Sequence, residues 1–272
     1  MKIALTGSSG LLGKFISLEA ESYGHQVIPV QFKNGINGEF IESIQSSLKI
    51  IKDCDFIINC SASKNPKSSF DFFLNTDVPK LIEHHIAAHR LDCHFIHISS
   101  INIVFDQLKD NYTKSKRKGE SLLDPKVTTI IRPGLIWSPA NDRSIKKIEL
   151  YMRNRFLPHI MVKPGNLYNP IDPKSLAKFL INNLTYLKID PKIINILGNK
   201  KISLWALMEK VANSHAVKLY PVRVSWFKFI PIRTFIKFSI AGELLNQFLH
   251  IDRTILPPNC TGSVIHLPHP DL

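Results

Sequence analysis

The sequence predicts an α/β protein with a doubly wound parallel sheet and a smaller C-terminal lobe. Three observations carry that expectation. A glycine-rich turn joins the first strand to the first helix, strand and helix patterns alternate up to Arg132, and the alternation breaks down beyond about residue 140.

In order, Lys2-Ile3-Ala4-Leu5-Thr6 reads as a buried strand, and Gly7-Ser8-Ser9-Gly10-Leu11-Leu12-Gly13 turns directly into a helix running to about Gly24. In a T-G-x-x-G-x-x-G turn of this kind Gly7 allows the tight turn, and Gly10 lets the backbone approach a pyrophosphate. Gly13 lets the helix pack closely on the strand, while the helix N-terminus offers N–H donors and a partial positive charge. A plain tight turn is the alternative. Placement between a strand and a helix favours a dinucleotide site, with Gly7, Ser9, Gly10, Leu11, Leu12 and Gly13 as its contacts. His25 to Val30 reads as the second strand and 33–38 as a turn-rich break. Residues 40–52 have helical spacing, and Asp55 to Cys60 form a third strand running into Ser61-Ala62-Ser63. A long helix is expected over 69–90, a fourth strand from Cys93 to Ile98, a helix from Tyr112 to Leu123, and a fifth strand from Val127 to Arg132, ended by Pro133-Gly134. Beyond that, helices are expected at 173–187 and 203–215 among prolines at 158, 164, 170, 173, 191, 221 and 231. The expected division is a nucleotide-binding domain over 1–138, and over 139–272 mainly a substrate-binding lobe with returning elements of the first domain.

Composition fits a protein of one large core, or a nucleotide domain plus a lobe: 272 residues, 44% hydrophobic. Met1-Lys2 runs straight into the first strand and no stretch has the length of a membrane span. Cys54, Cys60, Cys93 and Cys260 form no C-x-x-C pair, so the expectation is a cytoplasmic protein with reduced thiols. The formal charge of +13 is uneven. Residues 1–136 hold 16 Lys/Arg against 14 Asp/Glu, whereas 137–272 hold 19 against 8. A basic C-terminal half beside a nucleotide site suits an anionic ligand such as a diphosphate, or an acidic surface, with a merely solvated surface as the alternative. No recognition motif accompanies the charge, so nucleic acid is not the expected partner. Arg143, Lys146 and Lys147 are candidates for a diphosphate by charge and position alone.

Tyr112-Thr113-Lys114-Ser115-Lys116 places a phenol and an ammonium four residues apart at the start of a helix, on one face. A tyrosine is a poor base at neutral pH, since its unperturbed pKa is about 10; a nearby lysine favours the phenolate. A serine hydroxyl beside it can bond a reacting oxygen as charge moves there. Such a set suits hydride transfer at a C–OH/C=O carbon, with tyrosine moving the proton. The bland alternative is a solvated basic helix.

Taken together, these motifs resemble an extended short-chain dehydrogenase/reductase of the NAD-dependent epimerase/dehydratase group, most like its dTDP-4-dehydrorhamnose reductase branch. The matching pieces are Thr6–Gly13, the Asp55–Ala62 strand with its small-residue end, and Asn75 in the following helix. His97-Ile98-Ser99-Ser100 through Val104-Phe105-Asp106, Tyr112–Lys116 with Gly119-Glu120, Arg132-Pro133-Gly134 and Asn169-Pro170-Ile171-Asp172 complete the match. The resemblance implies a Rossmann-type fold and NAD(P)-dependent chemistry on a nucleotide-diphosphate sugar. It makes Tyr112 the acid/base, Lys116 the residue holding the cofactor ribose, and Ser100 the serine of the site, with Cys60, Ser61, Ala62, Asn75 and Pro133 further cofactor contacts. Aligned backward from Val104-Phe105-Asp106, the serine position falls instead on Ile101, and the span from Ser100 to Tyr112 is shorter than in relatives. The second strand ends Val30-Gln31-Phe32-Lys33 without a carboxylate, and Lys33 could meet a 2′-phosphate, so NADP is expected, with NAD as the alternative. A non-catalytic nucleotide-binding regulatory subunit and a reductase of a non-sugar carbonyl stay open, as does a homodimer.

Other signals read as structural. His85 and His89 share a helix face without supporting ligands, so no metal site is expected. The tail from His266 to Pro270 reads as a flexible end. Residues 225–249 mix aromatics with Lys228, Arg233 and Lys237. Packing within the lobe is preferred there over peripheral contact with a membrane surface, because Pro231 interrupts a single helix.

Overall fold

The computed structural model describes residues 1–32, 40–138, 160–162, 167–214, 220–222, 254–258 and 260–269. The alternating strands and helices build a sheet covered on both sides. Strand β1 (Lys2–Thr6) leads into helix α1 (Leu11–Ser22), β2 (Gln26–Val30) and α2 (Phe40–Leu48), with a 3-10 turn over Lys49–Asp53. Next come β3 (Phe56–Asn59), α3 (Ser69–Thr76), α4 (Val78–Ala88), β4 (His94–Ile98), a 3-10 turn at Ile101–Val104, α5 (Asn111–Ser121) and β5 (Thr128–Pro133). The remainder contributes β6 (Ile160–Val162), β7 (Leu167–Tyr168), α6 (Pro173–Asn182), α7 (Leu184–Ile189), β8 (Ile193–Gly198), β9 (Ile202–Ser203), α8 (Leu204–Ser214), β10 (Tyr220–Val222) and β11 (Ser263–Leu267).

Seven of these strands pair in parallel in the order β11-β8-β5-β4-β3-β1-β2. Parallel strands need both faces covered, and every residue of β3, β4 and β5 is buried accordingly. On one face Ile3, Leu5, Phe56, Ile58, Ile96, Ile98 and Ile131 pack against Leu12 and Ile16 of α1 and Leu176 and Leu180 of α6. On the other, Ala4, Ile57, Phe95 and Ile130 meet Ile44 and Leu48 of α2 and Val78 and Ile82 of α4. Each fully buried aliphatic side chain contributes about 1.5–3 kcal/mol relative to exposure. Pro29 sits in β2, the edge strand of the sheet among the described residues, where a missing ladder donor costs least.

Three expectations are corrected. The helix expected over 69–90 is two helices, because a Pro79 ring inside one continuous helix would strike the Asn75 carbonyl four residues back. The chain breaks at Asp77, and Pro79 falls in the first turn of α4, where no N–H is needed. The helix expected over 173–187 likewise divides at Asn183. The tail is no loose end: β11 joins the sheet beside β8, and His269 is buried, its ring tilted against that of Trp137 with centroids 5.2 Å apart. All four cysteines are free. Among the described residues, no helix is long and apolar enough to cross a membrane.

Candidate active site

From β1 the chain runs to β2 on one side and then returns to β3 on the other, so the C-terminal ends of β1 and β3 border the point where strand order reverses. Open α/β sheets bind ligands in that crevice. The glycine turn lies there. Gly7 has φ +67, and a side chain on it would meet the Cys60–Ser61 peptide at 2.8 Å. A Cβ on Gly13 would lie 2.2 Å from the Gly7 carbonyl oxygen, so only glycine lets α1 start so close to β1. Gly10 caps α1 with no side-chain hydrogen bond, which leaves first-turn N–H groups for an anion. Ser9 and Gly10 are exposed, Leu11 half-buried and Leu12 buried.

Beneath the turn, a polar ladder crosses three strands in register. Thr6 pairs with Asn59 and Asn59 with His97. The Thr6 hydroxyl donates to Asn59 Oδ1 at 2.6 Å, and Ser61 donates its N–H at 3.2 Å and its hydroxyl at 2.7 Å to the same oxygen. Asn59 Nδ2 must then donate to His97 Nδ1, 3.2 Å away, which puts the proton of the neutral ring on Nε2. Burial, and then the Lys116 charge, hold His97 well below the usual histidine range. The ladder fixes the Cys60–Ser61 peptide against Gly7. Asn75 braces the next residues: its Oδ1 accepts from Ser63 N–H and its Nδ2 donates to the Ser63 carbonyl and to Ser115 Oγ of α5, each at 2.9 Å.

The opposite wall is α5. Asp110 starts it by accepting from Thr113 N–H at 2.9 Å and from the Thr113 hydroxyl at 2.7 Å, which places Tyr112 in the first turn. Ser100, two residues beyond β4, is extended and caps the 3-10 turn by accepting from Asn102 N–H. Arg117 clamps that turn to α5, donating Nε to the Ile103 carbonyl at 2.9 Å and Nη2 to that of Phe105 at 3.1 Å. The Ser100 hydroxyl thereby lies against the Tyr112 phenol, whereas Ile101 is buried in an apolar cluster with Phe105, Leu108 and Leu197. Ser99 points into the protein, its hydroxyl without a protein partner.

Burial raises the Tyr112 pKa; the Ser100 hydroxyl opposes this and Asp110 adds to it. The expected depression of the phenol by Lys116 is therefore not the arrangement found. The Lys116 side chain is buried and donates Nζ to the Ile98 carbonyl at 2.7 Å, under the helix. Burial draws its pKa down to about 8, against the pull of Glu120 and Cys60. Cys60 is itself pushed up to about 12 by burial, despite Lys116, so it is a neutral thiol. Pro133 closes β5 on the same side of the sheet. Among the described residues no cluster of three metal-ligating side chains occurs. Lys33, Arg143, Lys146, Lys147 and the segment 225–249 lie outside the described residues.

The chain superposes on the dTDP-4-dehydrorhamnose reductase of Clostridium acetobutylicum with a TM-score of 0.65 at 18% identity, over 84% of this chain and 85% of that one. The dTDP-4-dehydrorhamnose reductase of Bacillus anthracis, solved in complex with NADP, gives 0.64 at 17% identity over 82% and 84%. The fold is that of these reductases. The UDP-glucuronic acid 4-epimerase of Bacillus cereus, solved in complex with NAD, shares it at TM-score 0.62 and 18% identity over 82% and 87%. No protein-family model and no curated protein matches the sequence.

Of the residues picked out in the sequence, the fold gathers Gly7, Gly10, Gly13, Cys60 and Ser61 on one side of the crevice. It brings Ser100 and Tyr112 together on the other, with Lys116 below them. Thr6, Asn59, His97 and Arg117 were not anticipated as parts of the site. The first three had a signal, being polar positions inside apolar strands, whereas Arg117 had none, since its partners are backbone carbonyls.

Proposed function

We propose that this chain is an NADP(H)-dependent oxidoreductase or epimerase of nucleotide-diphosphate sugars, with NAD as the alternative cofactor. In this reading residues 1–138 hold the dinucleotide and 139–272 mainly hold the sugar nucleotide. The observation that carries it is the meeting of Ser100 and Tyr112 above a buried Lys116, across the strand-order reversal from a glycine cradle that side chains on Gly7 or Gly13 would fill. The residues fit a dinucleotide: the Gly10-capped helix start takes its pyrophosphate, and Lys116 takes a ribose hydroxyl. Further contacts come from Cys60, Ser61, Ala62 and, at the end of β5, Pro133, while Asn75, bonded to Ser63, holds the loop that carries the first three. When bound, the nicotinamide supplies or accepts hydride at the sugar carbon.

The protein's own part is proton transfer and charge stabilisation. Ser100 bonds the sugar oxygen as negative charge grows on it, and the Tyr112 phenol gives that oxygen its proton. Burial moves the phenol's pKa still further above neutral pH, so the resting site holds a protonated acid and suits reduction of a keto carbon. The bound NADP and NAD of two neighbours of the same fold support a nicotinamide dinucleotide, and the lack of a carboxylate at the end of β2 favours NADP over NAD.

The test is titration of NADPH and NADH into the protein by fluorescence, with Gly13→Ala alongside, followed by a panel of nucleotide-linked 4-keto sugars. Tight NADPH binding lost in Gly13→Ala, with turnover of a panel member, is the expected result. Equal binding by both proteins would overturn the cradle, and binding without turnover of any keto sugar would overturn the reductase.

A further inference from the structure

Glu120 lies one helical turn beyond Lys116 on the buried face of α5 and is 7% exposed. Its Oε1 takes two donors from Arg132 of β5, Nε at 2.9 Å and Nη2. The remaining arm, Arg132 Nη1, donates to the Thr261 carbonyl at 3.0 Å and to its hydroxyl at 3.3 Å, so the guanidinium is held between Glu120 and Thr261. Oε2 of Glu120 is sealed from solvent without a protein partner.

A buried ion pair contributes little net stability, since desolvation offsets its attraction. Here a third charge stands beside the pair. Lys116 is 2% exposed and its ammonium, with three donors to satisfy, makes its hydrogen bond to the Ile98 carbonyl. The groups that face it are Cys60 beyond β3, a neutral thiol; His97 of β4, a neutral ring; and Glu120 of its own helix. Glu120 is the carboxylate among them, and it is the strongest influence opposing the desolvation of Lys116. Arg132, approaching from β5, occupies one oxygen of that carboxylate and fixes its orientation.

We propose that Glu120, oriented by Arg132, is a positioning residue that keeps the buried Lys116 charged at neutral pH, so that an ammonium is presented to the dinucleotide. The inference rests on the role given to Lys116 above. A merely structural Glu120, tying α5 to β5 and Thr261, would affect stability and leave the charge of Lys116 where it was.

The experiment is a pH titration of Lys116 by NMR in the full chain carrying 13Cε-labelled lysine, the resonance being assigned by its loss in Lys116→Met. The wild-type midpoint is expected near about 8. In Glu120→Gln, shown to be folded by its circular dichroism and melting curve, the midpoint is expected to fall by about one pH unit or more. An unchanged midpoint in a folded Glu120→Gln protein would overturn the proposal. Should Glu120→Gln not fold, the Lys116→Met/Glu120→Gln double variant decides. Recovery of folding shows that the uncompensated ammonium was at fault, and failure of both assigns Glu120 a structural role only. The resonance is read without nucleotide or substrate, so the titration decides the role of Glu120 even in a protein that consumes no NADPH.

Discussion

Gly119→Ala is the substitution whose cost the structure defines most sharply. Gly119 lies on the buried face of α5 where it crosses α3, and a Cβ built there would stand 2.0 Å from the Asn75 carbonyl oxygen and 3.1 Å from its carbon. An ordinary carbon–oxygen contact is about 3.3–3.6 Å, so the helices must separate locally by more than about 1 Å. The carbonyl cannot step aside cheaply, because the Asn75 side chain is tied to Ser63 and Ser115. Alanine raises helix propensity by about 1 kcal/mol, while forcing extra volume into a packed contact costs about 1–3 kcal/mol. With a backbone atom as the obstacle the upper end applies, and the net loss is about 1–2 kcal/mol. The functional loss is larger. Tyr112 and Lys116 ride on the same helix, and a displacement of about 1 Å costs up to about 100-fold in rate. Urea denaturation and steady-state turnover on the same preparations measure both. A Gly119→Ala protein as stable and as active as wild type would refute the close approach of α5 to α3, and with it the placement of Tyr112.

Two further outcomes follow from the same geometry. Arg117→Met releases the turn bearing Ser100 from α5, so turnover should fall roughly 10-fold or more while NADPH affinity stays unchanged; a matching loss in affinity would contradict the assignment of Arg117 to the Ser100 turn. His97 and His94 are both kept neutral by burial, His97 well below the normal range and His94 pushed down to about 4. The unfolded chain binds protons at these rings near pH 6.5 while the native chain does not, so stability falls as pH drops below that value. The loss is roughly 2 kcal/mol by pH 5 for a ring that stays neutral. His97→Gln should therefore show a shallower decline in melting temperature between pH 7 and pH 5, and an identical decline would place the proton uptake elsewhere.

The parts of this protein legible in the sequence are those whose physical requirement is local. Gly7 and Gly13 could be picked out because a strand, a turn and a helix start within a few residues leave no room for a Cβ. Tyr112 and Lys116 share a helix face by spacing alone. The break at Asp77 was legible in principle: Pro79 forbids a continuous helix through the Asn75 carbonyl, but a proline also suits a first turn, and periodicity alone runs through both. The choice between Ser100 and Ile101 depends on the 3-10 turn at Ile101–Val104, which buries the isoleucine and leaves the serine facing Tyr112. The ordered tail is a long-range effect, with His269 packing on Trp137 far back in the chain. The direction of the Tyr112 pKa shift is set by tertiary packing in the same way: Lys116 has the expected spacing, yet its ammonium bonds the Ile98 carbonyl, so burial governs the phenol.

The central claim is that Tyr112 moves the proton in a nicotinamide-dependent reduction of a nucleotide-linked sugar. Its most direct test follows NADPH absorbance with a nucleotide-linked 4-keto sugar, wild type beside Tyr112→Phe, in proteins shown to bind NADPH equally. Loss of a positioned general acid costs about 10²–10⁴-fold, so wild type should consume NADPH and Tyr112→Phe should fall by that factor. Equal rates in the two proteins, or no consumption by a wild type that binds NADPH, would contradict it.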